Sequence, residues 1–304
     1  MDGDVATTKL LGHPAYRAIA LQAYRNAERL CDCPATIYEG LRMFADAYAL
    51  APELDGCDWP EWAQALYNEE DRAGRAAEAR LPVAICLLTR KPHRFDWWMH
   101  YHLSLGVQHF FIRVEDTPEL LELLATAEFA PHVTVVSDTA GADTRADCQE
   151  GSELIFRQQE HVRRSLIASR CMGFEWLFHL DDDELLHLSE PLERLVASQP
   201  AHVSCLVFLN LEAIPSQLEA ECAFDGIERF TRRELLSYRN GKAAGRTLRS
   251  TDWGGPHRFK GGAEHVVPLR SACALRHEPT FGAQPLARPL AKLLAPPLAP
   301  PLRR

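Results

Sequence analysis

Four acidic residues in succession, Asp181, Asp182, Asp183 and Glu184, follow directly on the apolar run Phe174–Leu180. In an extended segment alternate side chains point the same way, so Asp181 and Asp183 are expected to face one site and Asp182 another. Two carboxylates converging on one point repel each other unless a cation or a proton compensates them. Their oxygens suit hard divalent ions, Mn2+ or Mg2+, which commonly bridge a carboxylate and the phosphates of a substrate. In that role the ion stabilises a departing diphosphate as a Lewis acid. The competing reading is an acidic helix N-terminus, with Asp182, Asp183 and Glu184 set against the dipole of a helix over Leu185–Leu188. The apolar run ahead of the quartet favours the metal site, because it reads as a strand that delivers the acids to a sheet edge.

Along the chain as a whole three textures appear. To about Arg80 the sequence reads as helical, with apolar residues at three- and four-residue spacing over Tyr16–Leu30 and Ile37–Leu50, and a third helix beginning at Trp59 and Trp62. From Leu81 short continuous apolar runs alternate with helical patterns. Strands are expected at Pro82–Leu88, Val107–Val114, His132–Val136, Phe174–Leu180 and Val203–Leu209. Helices are expected at Phe95–Leu105, Glu119–Ala127 and Ser152–Cys171, with Gly106 and Gly173 as stops. This rhythm implies a doubly wound α/β fold, whose ligands lie beyond the carboxyl ends of the strands. From about Ala223 to Phe281 the chain is rich in Gly and Arg and reads as strands and loops over the active edge. The Pro/Leu/Ala tract after Phe281 is expected to be disordered. The division that results is a helical extension over 1–80, an α/β domain over 81–281 and a tail over 282–304.

Bulk properties narrow the classes. The net charge of -9 makes the chain a poor partner for a nucleic-acid backbone. Nine cysteines without a CxxC pair read as mostly buried thiols, not as a zinc site. The first residues, Met1–Lys9, are acidic and lack an apolar core, so no signal peptide is expected. No stretch approaches the roughly 18 apolar residues of a membrane span. The compartment stays open: an upstream anchor would place the domain in a secretory lumen, and without one the cytoplasm is expected.

Five segments stand out in order: Ala84–Lys91 with Phe95–Ile112, Glu175–Leu186, Asn210–Pro215, Asn240–Arg246 leading to Gly255–Phe259, and Leu275–His277. Together they resemble glycosyltransferase family 92 and related family-2-like enzymes of GT-A fold. The resemblance implies a GT-A-type, mostly parallel sheet flanked by helices. It implies a metal-dependent transfer of a hexose, with galactose the leading sugar, from a UDP-linked donor to a glycan acceptor with inversion. Within it Asp181 and Asp183 would hold Mn2+ (or Mg2+), with His257 as third ligand and His277 as runner-up. Thr89, Arg90, Asp116 and Asp182 would line the donor. Glu212 would take the proton of the acceptor hydroxyl.

Between Arg229 and Arg276 eleven Lys or Arg face three Asp or Glu. Of these, Lys242, Arg246, Arg258 and Lys260 are candidates to neutralise the diphosphate. Trp97, Trp98 and Tyr101 are expected in the core more than on a sugar. Where the family has Lys-Asn-Glu this chain has Thr89-Arg90-Lys91, which keeps a non-catalytic sugar-nucleotide or glycan binder as an alternative. A metal-dependent nucleotidyl- or phosphotransferase would need a Gly-rich phosphate loop, and neither GxGxxG nor a Walker pattern occurs.

Overall fold

The computed structural model describes residues 13–31, 37–51, 83–138, 150–215, 227–230, 241–267, 272–276 and 284–285. In chain order the helices are α1 (Pro14–Cys31), α2 (Ile37–Leu50), α3 (Phe95–Ser104), α4 (Pro118–Leu124), α5 (Glu150–Met172) and α6 (Leu192–Ala197). The first strands are β1 (Val83–Thr89), β2 (His109–Glu115), β3 (Val133–Asp138), β4 (Trp176–His179), β5 (Glu184–His187), β6 (Val203–Phe208) and β7 (Asn210–Pro215). The later ones are β8 (Ile227–Phe230), β9 (Lys242–Arg246), β10 (Asp252–Gly255), β11 (Arg258–Lys260), β12 (Ala263–Val267), β13 (Ala272–Arg276) and β14 (Gln284–Pro285).

The central sheet has seven strands in the order β12-β6-β9-β4-β1-β2-β3. β1 runs parallel to β2 and β4, β2 to β3, and β6 to β12, while β9 is reversed between β4 and β6. This is the mostly parallel, helix-flanked α/β sheet expected from the strand–helix rhythm. Because side chains alternate along a strand, β1 feeds two cores. Val83, Ile85 and Leu87 pack with Phe95, Trp98, Leu120 and Leu195 on one face. Ala84 and Cys86 pack on the other with Phe111, Val162 and Leu166, together with Tyr16, Ala20 and Leu50 from α1 and α2. The helical segment expected to be an extension therefore shares a core with the sheet.

The competing helix over Leu185–Leu188 is absent: β5 pairs antiparallel with β13, in a five-stranded sheet ordered β14-β8-β7-β13-β5. Two expectations shift. The Gly/Arg-rich region does not merely cover the edge, since it supplies β9 and β12 to the central sheet itself. The strand expected over Phe174–Leu180 contracts to Trp176–His179, although Leu180 N still donates to Cys86 O at 3.3 Å. Gly173, at φ 80, ends α5 in the left-handed conformation that glycine tolerates. The helix expected from Trp59 and the tail lie outside the described residues, apart from Gln284–Pro285, which pair with β8. Cys86, Cys171 and Cys205 are free and buried. No described helix is long and apolar enough to cross a membrane.

Candidate functional site

β4 ends at the carboxyl edge of the sheet, and the acidic quartet makes the turn from it into β5. Glu184 N donates to Asp181 O at 3.2 Å, and Asp181 N donates to Glu184 Oε2 at 2.9 Å, so the turn closes on itself. Helix α3 pins it from behind: Trp98 Nε1 donates to Glu184 O at 2.8 Å and Tyr101 OH to Leu186 O at 2.7 Å. Trp97 stacks on Tyr101 with ring centroids 5.6 Å apart, so these aromatics are packing and anchoring groups. The turn brings carboxylate oxygens of Asp181, Asp183 and Glu184 within 4.8 Å of one another. An all-oxygen set of this kind fits Mn2+ or Mg2+. Glu184 is the member that sequence reasoning missed. Its only signal was its place at the head of the apolar pair Leu185-Leu186, which marks the first residue of a buried strand.

Lys242 complicates that fit. Its Nζ donates to Asp181 Oδ2 at 2.6 Å and lies 3.3 Å from Glu184 Oε2, and its side chain is 2% exposed. It was a candidate to neutralise the diphosphate. It lies among the carboxylates, because Lys242 opens β9 beside the end of β4, where Ala243 pairs with His179. Burial alone would raise the Asp181 carboxyl, but Lys242, His179 and His257 together hold it below its ordinary value. Glu184, wholly buried and beside Asp181, is pushed up despite the ammonium. Asp182 points the other way, accepting from Thr89 Oγ1 at the end of β1. Burial, with Asp183 and Asp181 as neighbours, raises it to about 6.

His257 sits in the turn between β10 and β11. Its Nδ1 donates to Gly241 O at 2.7 Å, since a carbonyl can only accept, so the neutral ring carries its lone pair on Nε2. That is the usual arrangement for a metal-binding imidazole. Burial, then the neighbouring Lys242, keeps its pKa below the ordinary value. His257 is outside the three-carboxylate cluster, yet close enough to act on Asp181 electrostatically. Gly241 makes this possible: a Cβ there would stand 1.7 Å from Phe208 O. Arg163 clamps the hairpin to α5 through two bonds to Asp252 at 2.8 and 2.9 Å.

The neighbouring edge is formed by the ends of β1 and β2. Arg90 and Asp116 face each other at 4.0 Å, both exposed. Among the described residues Lys91, Arg94 and Asp116 are the non-glycine residues with positive φ, at 52, 47 and 49°. All three lie at this edge, and strain of this kind clusters at functional sites. Glu115, by contrast, is buried against Arg113 at 3.1 Å and Arg157 at 2.8 Å.

One cation falls elsewhere. Arg246 pairs in register with Trp176 at the start of β4, hence at the opposite end of the sheet, where it binds Glu175 and lies 4.7 Å above the Trp176 ring. Its expected donor contact is thereby corrected, because an antiparallel strand carries its two ends to opposite edges. Arg258 is 65% exposed and bonds Glu264 at 2.8 Å. Glu212 lies on β7, in register with Leu275, which is itself in register with Glu184. The two acidic residues thus share one rung, two strands and about 10 Å apart. His277 lies outside the described residues.

No protein-family model matches the chain. The Arabidopsis thaliana protein glycosyltransferase-like At2g41451 is 25% identical over 203 residues, covering 53% of this chain and 45% of its own length. A second Arabidopsis thaliana protein, glycosyltransferase-like At3g57200, is 23% identical over 223 residues, covering 59% and 43%. The chain therefore spans less than half the length of these curated relatives. Among solved structures, HddC from Yersinia pseudotuberculosis complexed with GMP-PN superposes with TM-score 0.33 and 8% identity, over 62% of this chain and 92% of that one. GalNAc-T7 with UDP, GalNAc and Mn2+ gives TM-score 0.36 and 12% identity, over 66% and 45%. Likenesses so remote carry no weight for substrate or metal.

Proposed function

We propose that the chain carries the catalytic domain of a GT-A-type, metal-dependent glycosyltransferase similar to family 92. In this reading it moves a hexose, galactose first among the candidates, from a UDP-linked donor to a glycan with inversion. The observation that carries the reading is the acidic turn at the carboxyl end of β4, with oxygens of three carboxylates within 4.8 Å, flanked by the edge where Lys91 and Asp116 take positive φ. Both relatives are named glycosyltransferase-like, which supports sugar transfer; neither name gives a sugar, a nucleotide or a metal.

Asp181 and Asp183 would hold Mn2+ or Mg2+, with His257 Nε2 as third ligand. A bound ion supplies Lewis-acid stabilisation of the leaving diphosphate. Thr89 and Asp182, already joined by a hydrogen bond, would meet the donor beside Arg90 and Asp116. Arg258, exposed beyond the hairpin turn, would meet the diphosphate or an anionic acceptor. Glu212 would accept the proton of the acceptor hydroxyl as its oxygen bonds to the anomeric carbon and the bond to phosphate oxygen breaks.

Thermal shift with UDP, GDP and CDP, each with Mn2+ and with EDTA, tests the reading on wild type and Asp183→Ala. The expected outcome is a metal-dependent stabilisation by UDP of several degrees, consistent with ligand linkage, that disappears in the variant. No response to any nucleotide would sink the reading. Binding without either transfer or slow donor hydrolysis would mark a non-catalytic binder.

A further inference from the structure

The acidic cluster already contains a cation. Lys242 Nζ lies 2.6 Å from Asp181 Oδ2 and 3.3 Å from Glu184 Oε2, and the backbone N–H of Asp181 donates to the same Glu184 Oε2 at 2.9 Å. The Glu184 and Lys242 side chains are 4% and 2% exposed, whereas Asp181 is 36% exposed and Asp183 faces solvent. The cluster thus has an inner side, filled by the ammonium, and an outer side, open to whatever approaches the sheet edge. A Mn2+ or Mg2+ ion binds carboxylate oxygen at about 2.1 Å. Seated between Asp181 and Glu184 it would meet the ammonium at a separation that two positive charges do not tolerate. Lys242 is held there by both carboxylates and by burial, at the start of a strand whose Gly241 lies tight against Phe208 O.

We propose that Lys242 permanently fills the inner cation position of this site. Among the carboxylates, a divalent ion is then confined to the outer oxygens of Asp181 and Asp183, with His257 still able to complete the set, and Glu184 is a ligand of the lysine, not of the metal. Lys242 is a positioning residue: it neutralises the inner carboxylates and holds the turn so that Asp183 stands at the edge. The inference rests on the metal-site reading of Asp181 and Asp183, so its test uses Mn2+ alone, without nucleotide.

Free Mn2+ is counted by electron paramagnetic resonance during titration of the full chain, with thermal shift in EDTA alongside. With the lysine intact, Glu184→Gln should leave Mn2+ affinity nearly unchanged, while Asp183→Asn lowers it roughly tenfold or more. Lys242→Met should melt earlier in EDTA, bind Mn2+ roughly tenfold more tightly than wild type, and lose that gain in Lys242→Met/Glu184→Gln. Equal losses from Glu184→Gln and Asp183→Asn would overturn the proposal, as would a Lys242→Met protein that binds Mn2+ no better than wild type. Should Lys242→Met fail to fold, the comparison with the lysine intact decides. Mn2+ binding by Lys242→Met but not by wild type supports the lysine's role and sinks the metal-dependent transferase. Binding by neither overturns both.

Discussion

Asp181, Asp182 and Asp183 are one side chain three times over, yet each meets a different neighbour. Asp181 takes the buried ammonium of Lys242, Asp182 takes the Thr89 hydroxyl, and Asp183 is the exposed member of the three. Burial and partner, not residue type, therefore set the ionisation of the first two: Asp181 is held low and Asp182 is raised to about 6. The basic residues divide in the same way. Lys242 and Arg246 are four positions apart on one strand, but they sit at opposite ends of the sheet, about 13 Å apart at a strand's rise per residue. Arg246 donates to Glu175 and to Val203 O at 3.0 Å, and covers Trp176. Arg246→Ala should cost about 1–3 kcal/mol of stability through lost packing and a broken, mostly buried pair. Chemical denaturation reads that cost, and nucleotide-induced thermal shifts should be unchanged. A loss of nucleotide response at unchanged stability would return Arg246 to the site.

At the scale of elements, the site depends on three that the chain brings from far apart: the β4–β5 turn, helix α3 behind it and the β10–β11 hairpin in front. The strand before the acids and the aromatic helix were legible from their apolar patterns, and so was the turn's place at a carboxyl edge. The nature of the segment after the acids was not. Glu184-Leu-Leu-His187 fits a helical first turn as well as a strand, and only pairing with β13 and the bonds from Trp98 and Tyr101 select the strand. The hairpin's approach is set by Gly241, whose carbonyl also fixes the tautomer of His257. Gly241→Ala would drive a methyl group into the Phe208 carbonyl at 1.7 Å. The expected result is a loss of about 3 kcal/mol or more, or failure to fold, read by denaturant titration. An alanine variant of wild-type stability would mean that β9 and β6 approach differently.

The whole molecule binds its N-terminal helices into the sheet's second core. Tyr16 is fully buried and shares a hydrogen bond with His161 Nδ1 at 3.3 Å, and His161 Nε2 in turn donates to Phe111 O at 3.0 Å. Asp46 on α2 receives buried Arg170 at 2.9 Å and Arg249 at 3.7 Å. A fragment beginning at residue 81 would expose this apolar face and strand both arginines, a loss beyond the usual margin of about 5–15 kcal/mol. It should be insoluble or lack cooperative thermal unfolding, whereas the full chain melts cooperatively; a fragment that folds alone would restore the boundary drawn from composition. By itself the sequence determined the alternating α/β class, the strand that delivers the acids and the oxygen-ligand chemistry they offer. Those depend on local periodicity and on residue type. Only the tertiary structure decided that Lys242 lies inside the cluster, that Arg246 lies at the far edge, that Glu184 joins the carboxylates and that α1 and α2 belong to the core. Each of these is settled by which strands pair and in which direction, and pairing between distant segments leaves no periodic trace in the chain.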